Sequence, residues 1–157
     1  DMIQKIGFSI YEPQQVDFLL ANFDFDIIQV PINLFDQRLI EGGQLQKLQV
    51  RGIEIHTRSI FLQGVLLNIS SLPNYFEKWT NTFHKYKNIL QEQHLSPLDI
   101  ALRFALNRQE LDKIIVGVDT VQHLKDIIQS SSVKVEMDFA QFAIHDDELL
   151  NPSRWLL

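Results

Sequence analysis

The sequence predicts an α/β fold made of parallel strand–helix units, and two patterns lead to this prediction. Four short apolar segments alternate with longer segments in which apolar residues recur at helical spacing. The short segments carry apolar residues on both faces, which is typical of a parallel sheet covered by helices. With 157 residues, 45% of them hydrophobic, the chain is long enough for one compact domain. Four such units form either a small open sheet or half of an eight-stranded barrel of about 250 residues.

The first two units come from the first third of the chain. Residues 5–11 predict a strand, and residues 13–23 predict a helix with proline at its start, where the missing N–H costs little. Residues 26–30 predict the second strand, which stops at a proline. The apolar spacing within residues 37–50 predicts a single helix in spite of a glycine pair, and Gly52 is expected to end it in the left-handed conformation.

The remaining two units are longer and less regular. Residues 53–57 predict the third strand, which an irregular stretch follows. Helical patterns then cover residues 75–93 and residues 97–107, the second of which opens with serine, proline and a nearby aspartate, a favourable helix start. Residues 113–117 predict the fourth strand, and residues 121–130 predict the last helix.

Composition and charge exclude several classes of function. The formal net charge of −6 leaves no excess basic surface for a nucleic-acid backbone, and no apolar run reaches the roughly 20 residues of a membrane span. We therefore expect neither nucleic acid nor a membrane as a partner. Without cysteine the chain has no disulfide, thiolate metal site or cysteine nucleophile, and we expect a cytoplasmic protein without a signal peptide. The five histidines lack metal-ligand spacing, so we expect no metal site.

Polar residues lie where the predicted strands end. Ser9 follows the first strand, Gln29 lies in the second, Arg58 and Ser59 follow the third, and residues 117–120 follow the fourth. Ligands of parallel α/β folds bind at these carboxyl ends. A glutamine inside an apolar strand is costly to bury without a partner, which favours ligand contact for Gln29. Ser9 is either a ligand contact or a turn hydroxyl, and Arg58 either binds a ligand or pairs with a carboxylate.

The turn at residues 117–120 precedes a helix, so its backbone N–H groups are candidates for holding a phosphate. It matches neither the dinucleotide-binding glycine fingerprint nor a P-loop, and glycine is common in such turns. Taken by itself, this turn is a weak signal.

Four segments in order resemble the aldo-keto reductases. They are residues 6–9, 27–34, 58–64 and 115–120, and the ending at residues 151–155 is similar to the closing segment of many bacterial members. The resemblance covers nearly the whole chain. It implies that the 157 residues are a single domain, the C-terminal half of a (β/α)8 barrel with strands five to eight, and that the N-terminal half is absent.

The resemblance also implies an activity and a cofactor site. Aldo-keto reductases reduce an aldehyde or ketone to an alcohol with NADPH or NADH, without metal or flavin. By resemblance, Ser9 and Gln29 hold the nicotinamide carboxamide, and Arg58 takes the place of an aromatic residue that stacks on the nicotinamide ring. The residues implied for the pyrophosphate are Ser59, Phe61, Gln63 and Gly64. Those implied for the adenosine end are Gly117, Val118, Asp119, Thr120, His123 and Asp126.

The sequence departs from the family pattern in three ways. Ile10 stands where the family often has asparagine. Asp119 lies where NADPH-preferring members carry a basic residue. Because a carboxylate repels a 2′-phosphate, the sequence does not decide whether the cofactor is NADH or NADPH. Lys125 is a possible compensating charge. The family's catalytic Asp, Tyr, Lys and His all come from the N-terminal half. We therefore assign no catalytic residue to this chain and expect it to be inactive alone.

Three interpretations remain at this point. The first is an oxidoreductase fragment, or one part of a split reductase, that a separate N-terminal half-barrel completes for a small carbonyl substrate. The second is a non-catalytic half-barrel that binds a ligand and self-associates through its open strand edges at residues 5–10 and 113–117. The third is a small open-sheet binding domain unrelated to reductases.

Overall fold

The computed structural model describes residues 2–156, which form a parallel four-stranded sheet in sequence order. The strands are β1 (Gly7–Ser9), β2 (Ile27–Pro31), β3 (Glu54–Arg58) and β4 (Lys113–Ile114). Gly7 lies opposite Ile27, and Ile27 lies opposite Glu54. Each strand pairs in parallel with the next, and helices connect them. This arrangement confirms the predicted α/β fold and matches a fragment of a (β/α)8 barrel.

Seven α-helices and three short 3-10 helices are found in the described residues. The α-helices are α1 (Pro13–Asn22), α2 (Arg38–Glu41), α3 (Gln44–Val50), α4 (Thr80–Glu92), α5 (Pro97–Leu106), α6 (Val121–Ser130) and α7 (Asp147–Leu150). The 3-10 helices are Asn74–Trp79, Phe139–Phe142 and Pro152–Arg154. Helix α5 begins as predicted, because the Ser96 hydroxyl accepts a hydrogen bond from the Asp99 N–H at 3.1 Å.

The single helix predicted for residues 37–50 is wrong. The chain forms α2 and α3 instead, with Gly43 between them at a φ of 75°. Other residues rarely adopt this left-handed conformation, so the glycine marks a true break. The prediction for Gly52 is confirmed, since its φ of 69° ends α3.

The two outer strands are shorter than predicted. The sequence patterns predict strands over residues 5–11 and 113–117, whereas the strands in the structure cover only Gly7–Ser9 and Lys113–Ile114. Each outer strand has one hydrogen-bonded neighbour, while β2 and β3 have two and keep five residues each. Pairing on one side alone stabilises a strand less, which accounts for the difference.

The two faces of the sheet differ. Ile28, Val30 and Ile55 are fully buried in the main hydrophobic core on one face. The alternate residues of β2 and β3 are only half-buried on the other face, and these include Gln29 and Arg58. The expectation of apolar residues on both faces is therefore wrong for β3, because Ile55 and Thr57 are buried on one face and Glu54, His56 and Arg58 are half-buried on the other.

Candidate functional site

Ser9, the last residue of β1, and Gln29, in the middle of β2, are neighbours. They are register partners in the parallel pairing, and the Ser9 hydroxyl lies 3.5 Å from the Gln29 side-chain oxygen. This distance is at the outer limit of a hydrogen bond, so the contact leaves both groups able to bind another partner. Ser9 is exposed and Gln29 is half-buried. The structure thus brings together two of the residues that the sequence places at strand ends.

Arg58 reaches from the end of β3 to the end of β1. Its Nη2 donates a hydrogen bond to the Ile10 carbonyl at 2.9 Å, and its Nη1 donates to the Ser59 hydroxyl at 3.2 Å. Its guanidinium carbon lies 4.6 Å from the centre of the Tyr11 ring. Within residues 2–156 it forms no ion pair with a carboxylate. The arginine therefore crosses the end of β2 and reaches the residue that follows Ser9.

The loop that follows β3 has an unusual backbone. Ser59, Leu62 and Gln63 have φ angles of 59°, 47° and 53°, and Gly64 has 87°. Side-chain-bearing residues seldom adopt positive φ, and a loop that holds three of them needs strong support. Buried Ile60 packs against α5, and Leu62 is buried in the main core. Both anchors hold the shape of the loop, in which Phe61 is half-buried and Gln63 is exposed.

The predicted adenosine-end residues surround the start of α6. The Thr120 hydroxyl caps this helix by accepting a hydrogen bond from the His123 N–H at 3.1 Å. Asp126 accepts a hydrogen bond from the Gln122 side chain at 2.7 Å. The turn before α6 is exposed, as are His123 and Asp119. This group lies beyond β4, on the far side of β3 from Ser9 and Gln29.

Tyr11 is a site residue that sequence reasoning missed. It lies two residues beyond Ser9, and the Arg58 guanidinium carbon lies over its ring. Its position after a strand end was visible in the sequence, but the direction in which Arg58 extends was not.

A second missed group lies on the same face of the sheet, nearer the amino-terminal ends of the strands. The Glu54 carboxylate accepts a hydrogen bond from Lys5 Nζ. Its Oε1 lies 2.6 Å from His56 Nε2 and 3.6 Å from Lys113 Nζ. The hydrogen bond from Lys5, followed by that from His56, lowers the Glu54 pKa to about 2. Glu54 therefore stays ionised across the neutral range, and it ties β1 and β4 to β3.

The site is an open face, because four strands cannot enclose a cavity. A groove of about 550 Å³ lies elsewhere, between the segment after β3 and helices α4 and α5, where Asn68, Lys87 and His94 line it. Residues 2–156 contain no cluster of three or more side chains suited to a metal ion. No helix among them is both long and apolar enough to cross a membrane.

Comparison with known proteins decides the family. Residues 2–147 match the sequence profile of the Aldo/keto reductase family. The chain belongs to the aldo/keto reductase family. Members of this family generally use NAD(P)H. A comparison with curated proteins found no match.

The fold of this aldo/keto reductase chain is similar to that of solved family structures. The holo form of the aldo-keto reductase AKR11C1 from Bacillus halodurans is 17% identical, with a TM-score of 0.63 over 83% of this chain and 45% of that chain. The apo form is 15% identical, with a TM-score of 0.65 over 94% and 53%. The chain thus spans about half the length of these structures, and the likeness concerns the fold.

Proposed function

We propose that this chain is the C-terminal half, strands five to eight, of an NAD(P)H-dependent aldo-keto reductase barrel, and that it holds the cofactor. The observation that carries the proposal is that Ser9 lies 3.5 Å from Gln29, while Arg58, two strands away, donates a hydrogen bond to the carbonyl of Ile10, the residue after Ser9. The reductase reduces a small aldehyde or ketone. Substrate contacts and the proton donor come from the remaining strands.

The chemistry of these side chains fits a nicotinamide. A primary carboxamide has one acceptor and two donor hydrogens. The hydroxyl of Ser9 and the amide of Gln29 offer complementary groups 3.5 Å apart, and neither is committed to a short hydrogen bond with the other. The planar guanidinium of Arg58 suits stacking on a flat ring. When bound, the cofactor supplies the hydride for the carbonyl carbon; the side chains of this half bind and orient it.

The two outer edges of the fold support completion by a missing half. Strands β1 and β4 each pair on one side only. Exposed apolar side chains surround both edges: Ile6, Phe8, Phe18 and Phe23 beside β1, and Ile115, Val118, Val121, Leu124 and Ile128 beside β4. Exposed apolar side chains that cluster in this way are typical of contact surfaces. We propose that the N-terminal half-barrel covers both, and a second copy of this chain is the alternative occupant.

Replacing Gln29 by alanine tests the cofactor site. The variant should bind NADPH or NADH about fivefold more weakly in the intact protein, because it loses one hydrogen bond to the carboxamide. Fluorescence titration gives the Kd, and thermal unfolding should show little change because Gln29 is only half-buried. Gln46→Ala, on the exposed side of α3, is the matched control. A cofactor affinity equal to that of the unaltered protein would contradict the assignment of Gln29 to the cofactor site.

Replacing Asp119 by asparagine tests the proposed site for the adenosine end of the cofactor. Asp119→Asn should improve NADPH binding relative to NADH about three- to tenfold at pH 7.5, because it removes a negative charge facing the 2′-phosphate dianion. The measurement is the ratio of the two Kd values. Asp24→Asn removes the same charge from an exposed position after α1 and should leave the ratio unchanged. A ratio that also stays unchanged in Asp119→Asn would place the 2′-phosphate elsewhere.

A further inference from the structure

Tyr11 is placed against Arg58 without serving the hydrophobic core. The residue lies between β1 and α1, and its side chain is 53% exposed. Its backbone N–H donates a hydrogen bond to the Gln15 side-chain oxygen at 2.7 Å, which fixes the chain at the start of α1. A residue with this exposure gains little from burial, and its ring contacts the Arg58 guanidinium.

Arg58 is held by two hydrogen bonds and by the Tyr11 ring. Two of its terminal N–H groups donate to the Ile10 carbonyl and the Ser59 hydroxyl, which lie on different strand ends. These bonds hold two terminal nitrogens, and the Tyr11 ring, whose centre lies 4.6 Å from the guanidinium carbon, restricts the remaining movement of the group. A planar guanidinium can contact an aromatic ring on each face, and Tyr11 supplies one aromatic contact.

We propose that Tyr11 is a positioning residue that holds the Arg58 plane so that the opposite face receives the nicotinamide ring. This inference rests on the proposed cofactor site and adds a residue to it. Tyr11 acts through Arg58 and does not touch the ligand. Ser9 and Gln29 then hold the carboxamide while the arginine, backed by Tyr11, covers the ring.

The experiment compares three probes on the intact protein: NADPH, NADH and ADP, the last of which lacks a nicotinamide. Tyr11→Ala should raise the Kd of both dinucleotides about threefold, as expected for the loss of a partly exposed cation–π contact. The Kd of ADP should not change. Tyr11→Phe keeps the ring and should bind all three probes like the unaltered protein. Thermal unfolding of each variant checks the fold.

A double-mutant cycle separates positioning from direct contact. Arg58→Ala should weaken dinucleotide binding, and adding Tyr11→Ala to that variant should cause no further loss, because Tyr11 acts only through the arginine. Additive losses would overturn the proposal, and so would an unaffected dinucleotide Kd in Tyr11→Ala or an equal loss for ADP. Failure of the proposed function looks different: the unaltered protein itself would bind neither dinucleotide.

Discussion

Replacing Phe35 by alanine should lower the free energy of unfolding by about 3–5 kcal/mol, the usual cost of removing a buried phenylalanine ring. Phe35 is 1% exposed, and its ring packs on those of Tyr86 and Phe83 at 5.4 Å and 6.2 Å. Its carbonyl also accepts a hydrogen bond from the Ile144 N–H at 2.9 Å. The segment after β2, helix α4 and the C-terminal region therefore meet at this residue.

Urea unfolding of the intact protein measures the effect. Val50→Ala truncates an apolar side chain that is 87% exposed at the end of α3, and it should change stability by less than about 0.5 kcal/mol. A loss in Phe35→Ala no larger than that of the control would contradict the packing described for this core. Because Gln29 lies on the same strand–loop segment, a partly unfolded variant should also lose cofactor affinity.

Local patterns predicted most of the regular structure. Helices α1, α5 and α6 match the expected ranges within one residue, and strands β2 and β3 within a shift of one. Apolar spacing and proline at the helix start carry this information within a single segment, so no distant contact is needed to read it.

Distant contacts explain where the patterns fail. The helix predicted for residues 75–93 begins as the 3-10 helix Asn74–Trp79. Its Tyr75 hydroxyl donates to the Glu148 carbonyl, and its Trp79 indole donates to the Asp146 carboxylate, about 70 residues along the chain. A sequence window of one or two helical turns carries no information on such partners.

The candidate site was likewise predicted only in part from the sequence. The sequence placed Ser9 and Gln29 among the polar residues near the strand ends, the family resemblance gave them a shared role, and the structure shows them as register partners. The contact between Tyr11 and Arg58 was not predicted, because it depends on which way a long side chain extends across the end of another strand. The cofactor roles of all these residues remain predictions.

Converting Ile128 to glutamate should destabilise the intact protein by about 3 kcal/mol or more if the missing half-barrel covers α6, because burial of an unpaired carboxylate is costly. Ile128 is 61% exposed in this chain and belongs to the apolar edge beside β4. In a closed barrel the first strand–helix unit lies next to the last one, so this helix is the one that the missing half should contact.

Gln129→Glu is the matched control, since it adds the same charge to the next residue of the helix, which is also exposed. It should leave stability within about 0.5 kcal/mol. Equal, small effects of both variants would mean that α6 faces water and that no second half covers it. Native mass spectrometry of the protein from its source then identifies the occupant. A single chain of about 250 residues or more supports the complete barrel, whereas two copies of an 18.3 kDa chain support self-association.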